Sequence, residues 1–429
     1  MPVFKIVTLG CKVNQYESAC LEESLLKDGW LRAKKGQFAD LVIINTCIVT
    51  QKAAHQSRQE IRRAMRENSG AILVATGCYA QVYPEELLKI DGLNIIVGNR
   101  GKEQIPSLIK GVSPSDKLLH IQEFSKKEPF SCMSTGPFFE RSRAFLKIQD
   151  GCESFCSYCI VPYARGPYRS MSIKDVLVSI EQIIDKGYKE VVLTGIHLGK
   201  YGIDQGTSLE PLLKEIGRQK YPIRIRLSSI EPNEISKELL EIILKEDWIC
   251  KHLHIPLQSG DNGILKRMNR RYKREDFYRL VTDIHDQAPL CAIGTDIMVG
   301  FPGETRSAYQ NTFSIIKDLP VSYLHIFPYA DRPKTAAFHF REKIPPQIIK
   351  ERARNMRELG GKKKKEFLNR CIGQIFHTIV ESQDKDGLFK GVTENYINVI
   401  FPYREEKHWK PVRVRIEKTR KDIALGKLA

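Results

Sequence analysis

No stretch of about 18 or more uncharged apolar residues occurs in the 429-residue chain, which leaves it without a candidate transmembrane helix. The basic-then-apolar plan of a secretory leader is missing too. MPVFKIVTLG enters a strand directly, and the expected location is the cytoplasm. There is no repeat of solenoid period and no low-complexity tract beyond a short lysine run, which excludes repeat arrays. In that setting the eleven cysteines are expected as ligands or buried thiols rather than disulfides.

What is present is core-forming material and an uneven charge. At 42% hydrophobic the chain can bury the cores of roughly two to four domains. Its net charge is +17, and residues 341–429 hold 22 Lys/Arg against 12 Asp/Glu. That asymmetry points to a polyanionic partner, nucleic acid first, with a solvated basic surface as the plainer alternative.

Three segments follow from the patterning. Over 1–115, FKIVTLG, DLVIINT, AILVATG and NIIVG read as buried parallel strands separated by helical stretches, a small doubly wound sheet. Residues 116–142 read as a linker. Over 143–365, RAFLKIQ, EVVLTGI, IRIRLSS, HLHIPL, AIGTDIMVG and YLHIFPY alternate with helices, as in a full or partial β/α barrel with its chemistry at the C-terminal strand ends. The last helix of that segment is basic. Residues 366–429 read as short strands of a small β-barrel.

Two sets of cysteines share a location. Cys11, Cys47 and Cys78 each follow a predicted parallel strand, where the carboxyl ends share one edge and ligands bind. Asn14 and Gln15 open the next helix as possible supporting donors. Singly, such cysteines read as small buried hydrophobes; three at matching places favour an iron–sulfur cluster with one open iron. The second set is Cys152, Cys156 and Cys159 in QDGCESFCSYCIVPYARG, a C-x3-C-x2-C loop after the first barrel strand. Structural zinc wants four ligands, whereas three cysteines on one loop leave a fourth iron free.

C-x3-C-x2-C on a β/α barrel resembles the radical S-adenosylmethionine superfamily. With three strand-end cysteines upstream and a basic β-barrel downstream, the whole chain resembles its methylthiotransferase branch: a cluster domain, a radical core and a TRAM domain. TLGCKVNQYES is similar to the subgroup acting on N6-threonylcarbamoyladenosine in tRNA. GCKVN at 10–14 departs from the GCQMN of the isopentenyladenosine subgroup and the GCPKN of the ribosomal-protein subgroup. The resemblance implies two 4Fe-4S clusters, one on each cysteine set, and S-adenosylmethionine bound at the open iron of the second. It implies cleavage of that cofactor to a radical that takes hydrogen from C2 of the adenine at tRNA position 37, and transfer of a methylthio group from the first cluster. Its expected partners are tRNA and an electron donor such as flavodoxin or ferredoxin.

Weaker candidates surround these sets. VGFPGE, with Gly300 and Gly303, is similar to a cofactor-contacting stretch, although a tight turn explains it as well. Glu231 would accept from ribose hydroxyls or form a salt bridge, and Tyr158 would pack on adenine or wall the loop. Arg165 and Arg169 would meet a cofactor carboxylate or RNA phosphate. His197, His254 and His325 read as pocket lining. For RNA the candidates are Lys362, Lys363, Lys364, Lys365, Arg413 and Arg415, with Phe389, Tyr396 and Trp409 available for stacking unless they form barrel core. Two other classes stay open: methylthiolation of a ribosomal-protein aspartate, and a noncatalytic cluster protein that binds RNA or carries electrons.

Overall fold

The computed structural model describes residues 1–125, 128–131, 142–384, 387–403 and 411–429. Cys132 and Trp409 lie outside the described residues. The first sheet holds β1 (Val3–Thr8), β2 (Leu31–Arg32), β3 (Leu41–Thr46), β4 (Ile72–Gly77), β5 (Ile95–Val97) and β6 (Leu118–His120). All are parallel, in the order β2-β1-β3-β4-β5-β6. Alternation sends Leu41 and Ile43 to one face, against Leu21 and Leu25 of the Lys12–Lys27 helix. Val42 and Ile44 go to the other, with Ile61 and Ala64 of the Gln51–Glu67 helix. Both faces are covered, so β3 is buried along its whole length and reads as an unbroken apolar run. Strand order reverses between β1 and β3, and the crevice at such a switch point is where doubly wound sheets bind ligands.

The expected linker is in part structured. β6 falls inside 116–142 and extends the sheet beside β5. A three-residue strand is too short to show alternation in sequence.

The second domain contains the six expected strands, β7 (Ala144–Asp150), then, after a two-residue β8 (Arg169–Ser170), β9 (Glu190–Gly195), β10 (Arg224–Leu227), β11 (His252–His254), β12 (Ala292–Val299) and β13 (Tyr323–Pro328). β8 returns antiparallel onto the end of β7 and closes the loop between them. The ladder is parallel elsewhere, with β10 and β11 joined through Ile225 and its neighbours Trp248 and Cys250. Among the described residues β13 pairs only with β12, so the barrel is partial. The Lys12–Lys27 helix packs along β7: its Tyr16, Ala19 and Cys20 belong to the barrel's core.

The third domain is a closed barrel of β14 (Ile375–Gln383), β15 (Phe389–Thr393), β16 (Asn398–Phe401), β17 (Pro411–Arg420) and β18 (Ile423–Leu428). The Pro346–Arg370 helix runs across the expected boundary at 365, and its Phe367 and Leu368 plug this barrel's core with Phe389.

Charge networks lock the domains together. Glu17, buried on the first helix, is held by Lys102 of its own domain and by Lys147 (3.1 Å) and Arg165 (2.5 Å) of the barrel. Asp150 shares Lys147 at 3.1 Å. Below, buried Glu190 orients Arg224 and Arg226, which donate to the carbonyls of His377, Val392, Thr393 and Glu394 in the C-terminal barrel. Against the opposing effect of burial, Lys147, Arg165 and Arg169 hold the Asp150 carboxyl down at about 2. Arg165 and the two lysines lower Glu17 likewise, and Arg224 and Arg226 lower Glu190. Depressed carboxyls stabilise the fold fully above their unfolded values, about 4, and lose that contribution as pH falls through the folded ones. Melting temperature is therefore expected to hold from pH 7 to about 5 and drop steeply between about pH 4 and 2, as thermal melts would read.

Candidate active site between two cysteine sets

The three upstream cysteines stand together at the switch point of the first sheet. Cys11 follows β1 and caps the Lys12–Lys27 helix, Cys47 follows β3, and Cys78 opens the Cys78–Val82 helix after β4. Helix N-termini favour a thiolate. Cys11 is open to the space between the domains although protein surrounds it; burial raises its thiol, Arg165 lowers it and Cys78 raises it. Burial and the Cys78 thiol push Cys47 up to about 12. Asn99 donates to Cys78 Sγ at 3.4 Å, to the Ala164 carbonyl at 2.7 Å, and accepts from Lys102 at 3.1 Å.

Two glycines make this crest possible. Gly10 has φ +96° and Gly77 φ +99°, where only glycine rests without strain. A methyl group on Gly10 would stand 2.8 Å from Cys47 Sγ. Gly10→Ala is thus expected to fold, to lose roughly 1–2 kcal/mol of stability, and to carry less iron at this set, as metal analysis and melts would show.

Opposite, the second set sits on the loop after β7. Ser157 donates to the carbonyls of Met268 (amide, 3.1 Å) and Arg267 (hydroxyl, 2.8 Å), and Asn269 donates to those of Ser154 and Phe155. His197 stands 3.5 Å from Cys152 Sγ through Nδ1 and 2.8 Å from Glu234 through Nε2. Burial opposes ionisation of both, yet the pair prevails: Cys152 is pulled down and His197 raised to about 9. Burial and Cys156 push Cys159 up to about 12.

The donor sets suit a polynuclear cluster. A single tetrahedral zinc would draw thiolate sulfurs to roughly 3.8 Å of one another. Among the described residues no cysteine joins a group of three ligand atoms within 4.8 Å, which is not the spacing of a single tetrahedral ion. Of the cations in the Glu17 network, Arg165 acts on Cys11 and Cys47 and Lys102 interacts with Cys78, each favouring a charged sulfur.

Cys159 of the second set and residues next to Cys47 of the first border one cavity. Val49, Thr50, Gln51 and Lys52, just past Cys47, line this cavity of about 560 Å³ with Tyr158, Cys159, Asp296, Met298, Phe327, Arg332 and Arg357. Arg332 lies within electrostatic reach of both Cys159 and Cys47.

The remaining candidates fall variously. Arg270 donates to Tyr158 Oη at 2.6 Å and pairs with Glu231, so those two candidates meet at one guanidinium. The Gly300 amide donates to Glu304 (2.8 Å) and the Gly303 amide to the Glu342 carbonyl (2.8 Å), as a turn requires. Asn14 ties the Leu9 and Thr46 carbonyls together at the crest and accepts from Arg165 at 2.6 Å, and its backbone N–H supports the Cys11 sulfur. Arg165 is fully buried in the Glu17 network, which corrects its assignment to a cofactor or phosphate, and Arg169, equally enclosed, donates to the Arg165 carbonyl. Lys362, Lys365, Arg413 and Arg415 are exposed and Lys364 half-buried. Lys363 is turned inward beside Glu366, because the helix needs an apolar stem at that position against the barrel. Tyr396 is tilted over His252 at 4.4 Å, inside the interface with the radical domain. The sequence did not single out Asn99, Lys102, Arg332 or the partners of His197; Asn99 alone had a signal, following β5 at the same edge.

Comparison with known proteins decides the family. Residues 3–98 match the Uncharacterized protein family UPF0004, and residues 146–316 match the Radical SAM superfamily. The chain is 40% identical over 393 residues to the threonylcarbamoyladenosine tRNA methylthiotransferase MtaB of Aquifex aeolicus, covering 91% of this chain and 95% of that protein. It belongs to the radical S-adenosylmethionine tRNA methylthiotransferases. Identity to the Bacillus subtilis protein of the same name is 37%, over 96% of this chain and 93% of the relative. Identity to a tRNA-2-methylthio-N(6)-dimethylallyladenosine synthase of Thermotoga petrophila is 32%, over 99% and 96%. In fold, this methylthiotransferase is similar to the radical S-adenosylmethionine methyltransferase TsrM of Kitasatospora setae, solved with cobalamin and a 4Fe-4S cluster (TM-score 0.57, 16% identity, 79% of this chain and 77% of that one). Membership makes it a transferase that uses a 4Fe-4S cluster and S-adenosylmethionine. No helix among the described residues is long and apolar enough to cross a membrane.

Proposed function

We propose that this enzyme adds a methylthio group to C2 of N6-threonylcarbamoyladenosine at position 37 of tRNA. One 4Fe-4S cluster would sit on Cys11, Cys47 and Cys78 and a second on Cys152, Cys156 and Cys159. The observation that carries the reading is that Cys159 and the residues just past Cys47 line one cavity, with Arg332 in reach of both sets. Cluster and S-adenosylmethionine together supply the one-electron chemistry that an inert aromatic C–H requires.

The chain's own residues hold, orient and screen. His197 lowers the Cys152 thiol, and Arg165 favours the ionised form of Cys11 and Cys47 against burial. Tyr158 and Glu231, joined through Arg270, are proposed to flank the adenosine of S-adenosylmethionine, with Gly300 and Gly303 shaping the neighbouring turn. Met298 and Phe327 give a flat base an apolar wall, and the cavity limits water. Its charged lining, Lys52, Arg332 and Arg357 against Asp296, suits an N6 substituent that ends in a carboxylate. Lys362, Lys364, Lys365, Arg413 and Arg415 are proposed to meet RNA phosphates, and affinity should fall steeply with salt. The setting is cytoplasmic, with a flavodoxin- or ferredoxin-type electron donor.

The test uses anaerobically reconstituted enzyme, S-adenosylmethionine, a strong reductant and tRNA lacking only the methylthio group, with digested nucleosides read by mass spectrometry. Methylthio on threonylcarbamoyladenosine supports the reading. Modification of isopentenyladenosine instead moves the substrate. Deoxyadenosine without any modified nucleoside turns attention to a ribosomal-protein aspartate. Neither product, from protein with its full iron, leaves a noncatalytic RNA-binding role.

A further inference from the structure

We propose that His254, Asp296 and His325 form a binding site for one divalent first-row transition-metal ion, separate from both cysteine sets. The three residues come from adjacent parallel strands, β11, β12 and β13, with Asp296 opposite His325 in the ladder and His254 opposite Gly294, two residues earlier. Asp296 Oδ1 lies 3.2 Å from His254 Nε2 and 3.3 Å from His325 Nδ1. All three ligand atoms fall within 4.8 Å of one another. Ligands about 2.1 Å from a shared ion stand roughly 3.0 Å apart in octahedral and 3.4 Å apart in tetrahedral geometry, so the observed spacing fits either.

Both imidazoles lie at ion-pair distance from the one carboxylate, at 3.2 and 3.3 Å, but those contacts lack full hydrogen-bond geometry. His254 Nε2 and Asp296 Oδ1 are both buried without a hydrogen-bond partner, although they face each other. His254 is only 8% exposed, and a buried polar atom left unmatched is costly. An ion between them would satisfy both. The other ring nitrogen, Nδ1, is 2.7 Å from Ser229 Oγ. With Nδ1–H donated to Ser229, Nε2 keeps the lone pair a metal needs and the ring is fixed in orientation.

A second acidic group in the barrel mouth serves as contrast. His197, Glu231 and Glu234 also lie close together, but Lys200 and Arg270 neutralise the carboxylates, and no side-chain atom of His197, Glu231 or Glu234 is a buried orphan. That is a salt-bridge network. In the His254 group the carboxylate is paired only by the two imidazoles, with no lysine or arginine in a salt bridge to it among the described residues.

Two histidines and a carboxylate select Mn, Fe, Co or Zn rather than Mg or Ca. Three protein ligands leave coordination positions open. Asp296 lines the cavity shared by the cysteine sets, so those positions face the space a substrate would occupy.

Mn(II) is the probe of choice because it prefers nitrogen and oxygen to thiolate, and the cysteines then compete little. It would be titrated into the iron-reconstituted protein, and free Mn(II) read by electron paramagnetic resonance. One ion per chain is expected in the wild type. His325→Ala and Asp296→Asn should weaken binding by more than about 10-fold, Ser229→Ala by roughly 10-fold, and Cys47→Ala not at all. His325 is more than half exposed, so its variant folds and decides the matter even if Asp296→Asn does not. Absence of uptake by the wild type below about 1 mM, or equal uptake by His325→Ala, overturns the site.

Discussion

Cys47→Ala is expected to abolish methylthio transfer while leaving S-adenosylmethionine cleavage intact. Cys47 is 4% exposed at the crest of the first sheet, and its replacement by a slightly smaller side chain leaves the β3 packing in place. What goes is one of three thiols, and a three-thiol set cannot hold three irons with two. Iron should fall from about eight to about four atoms per chain. The loop of Cys152, Cys156 and Cys159 is anchored elsewhere, by Arg267, Met268 and Asn269 and by His197, none of which touches the upstream set. Deoxyadenosine should therefore still form under reductant. Product should drop by more than the roughly 10- to 100-fold that losing a supporting partner of a metal ligand costs. Cys156→Ala should lose both readouts, because the proposed function has the radical made at its own set. If Cys47→Ala retained methylthio product, or lost deoxyadenosine as well, the division of labour between the two sets would fail.

How far the sequence carried this reading depended on the range of each interaction. Strand-end cysteines were legible because each stands directly after an apolar run, and the sheet then brings them together whatever the chain does between. The six barrel strands were legible for the same reason, and the C-x3-C-x2-C loop carries its whole meaning within eight residues. Charge pairing was not. Arg165 has the look of an anion-binding side chain beside a cofactor loop, yet its partner is Glu17, 148 residues earlier on a helix of another domain. Nothing local distinguishes a guanidinium aimed at phosphate from one that will be buried against a distant carboxylate. Lys363 shows a second limit. Within a run of four lysines the helix has to turn one toward its packing face, and only the period of the buried positions Met356, Leu359, Gly360 and Phe367 identifies which. The His254 cluster was read as pocket lining because its three members, from three strands, become a set only through the register of β11, β12 and β13.

Glu17→Gln is expected to be among the most destabilising single changes in the molecule, because it lies on the helix packed between the first sheet and the barrel. The side chain is 3% exposed and is clasped by Lys102, Lys147 and Arg165, one from the first domain and two from the barrel. Neutralising it leaves Lys102 without a carboxylate and Lys147 and Arg165 with Asp150 alone, while Arg169 keeps Asp150 and Glu128, in a region closed to water. Breaking a buried charge network by removing one partner typically costs about 3–5 kcal/mol, since the remaining charges stay buried and unmatched. Removing a partner cation is milder in sign: Lys102→Met leaves Glu17 still bound to Lys147 and Arg165, and roughly 1–2 kcal/mol is expected. A melting temperature lower by roughly 5–15 °C in Glu17→Gln, and by only a few degrees in Lys102→Met, would fit this ordering. The functional consequence follows from position. Glu17 ties the first helix to β7 and to the loop behind Cys159, so a weakened clasp lets the two cysteine sets drift apart across their cavity. Glu17→Gln should then keep both iron complements when reconstituted, still cleave S-adenosylmethionine, and transfer less methylthio per cofactor cleaved. A variant that melts early but preserves that ratio would show that the clasp stabilises the domains without setting the distance between them.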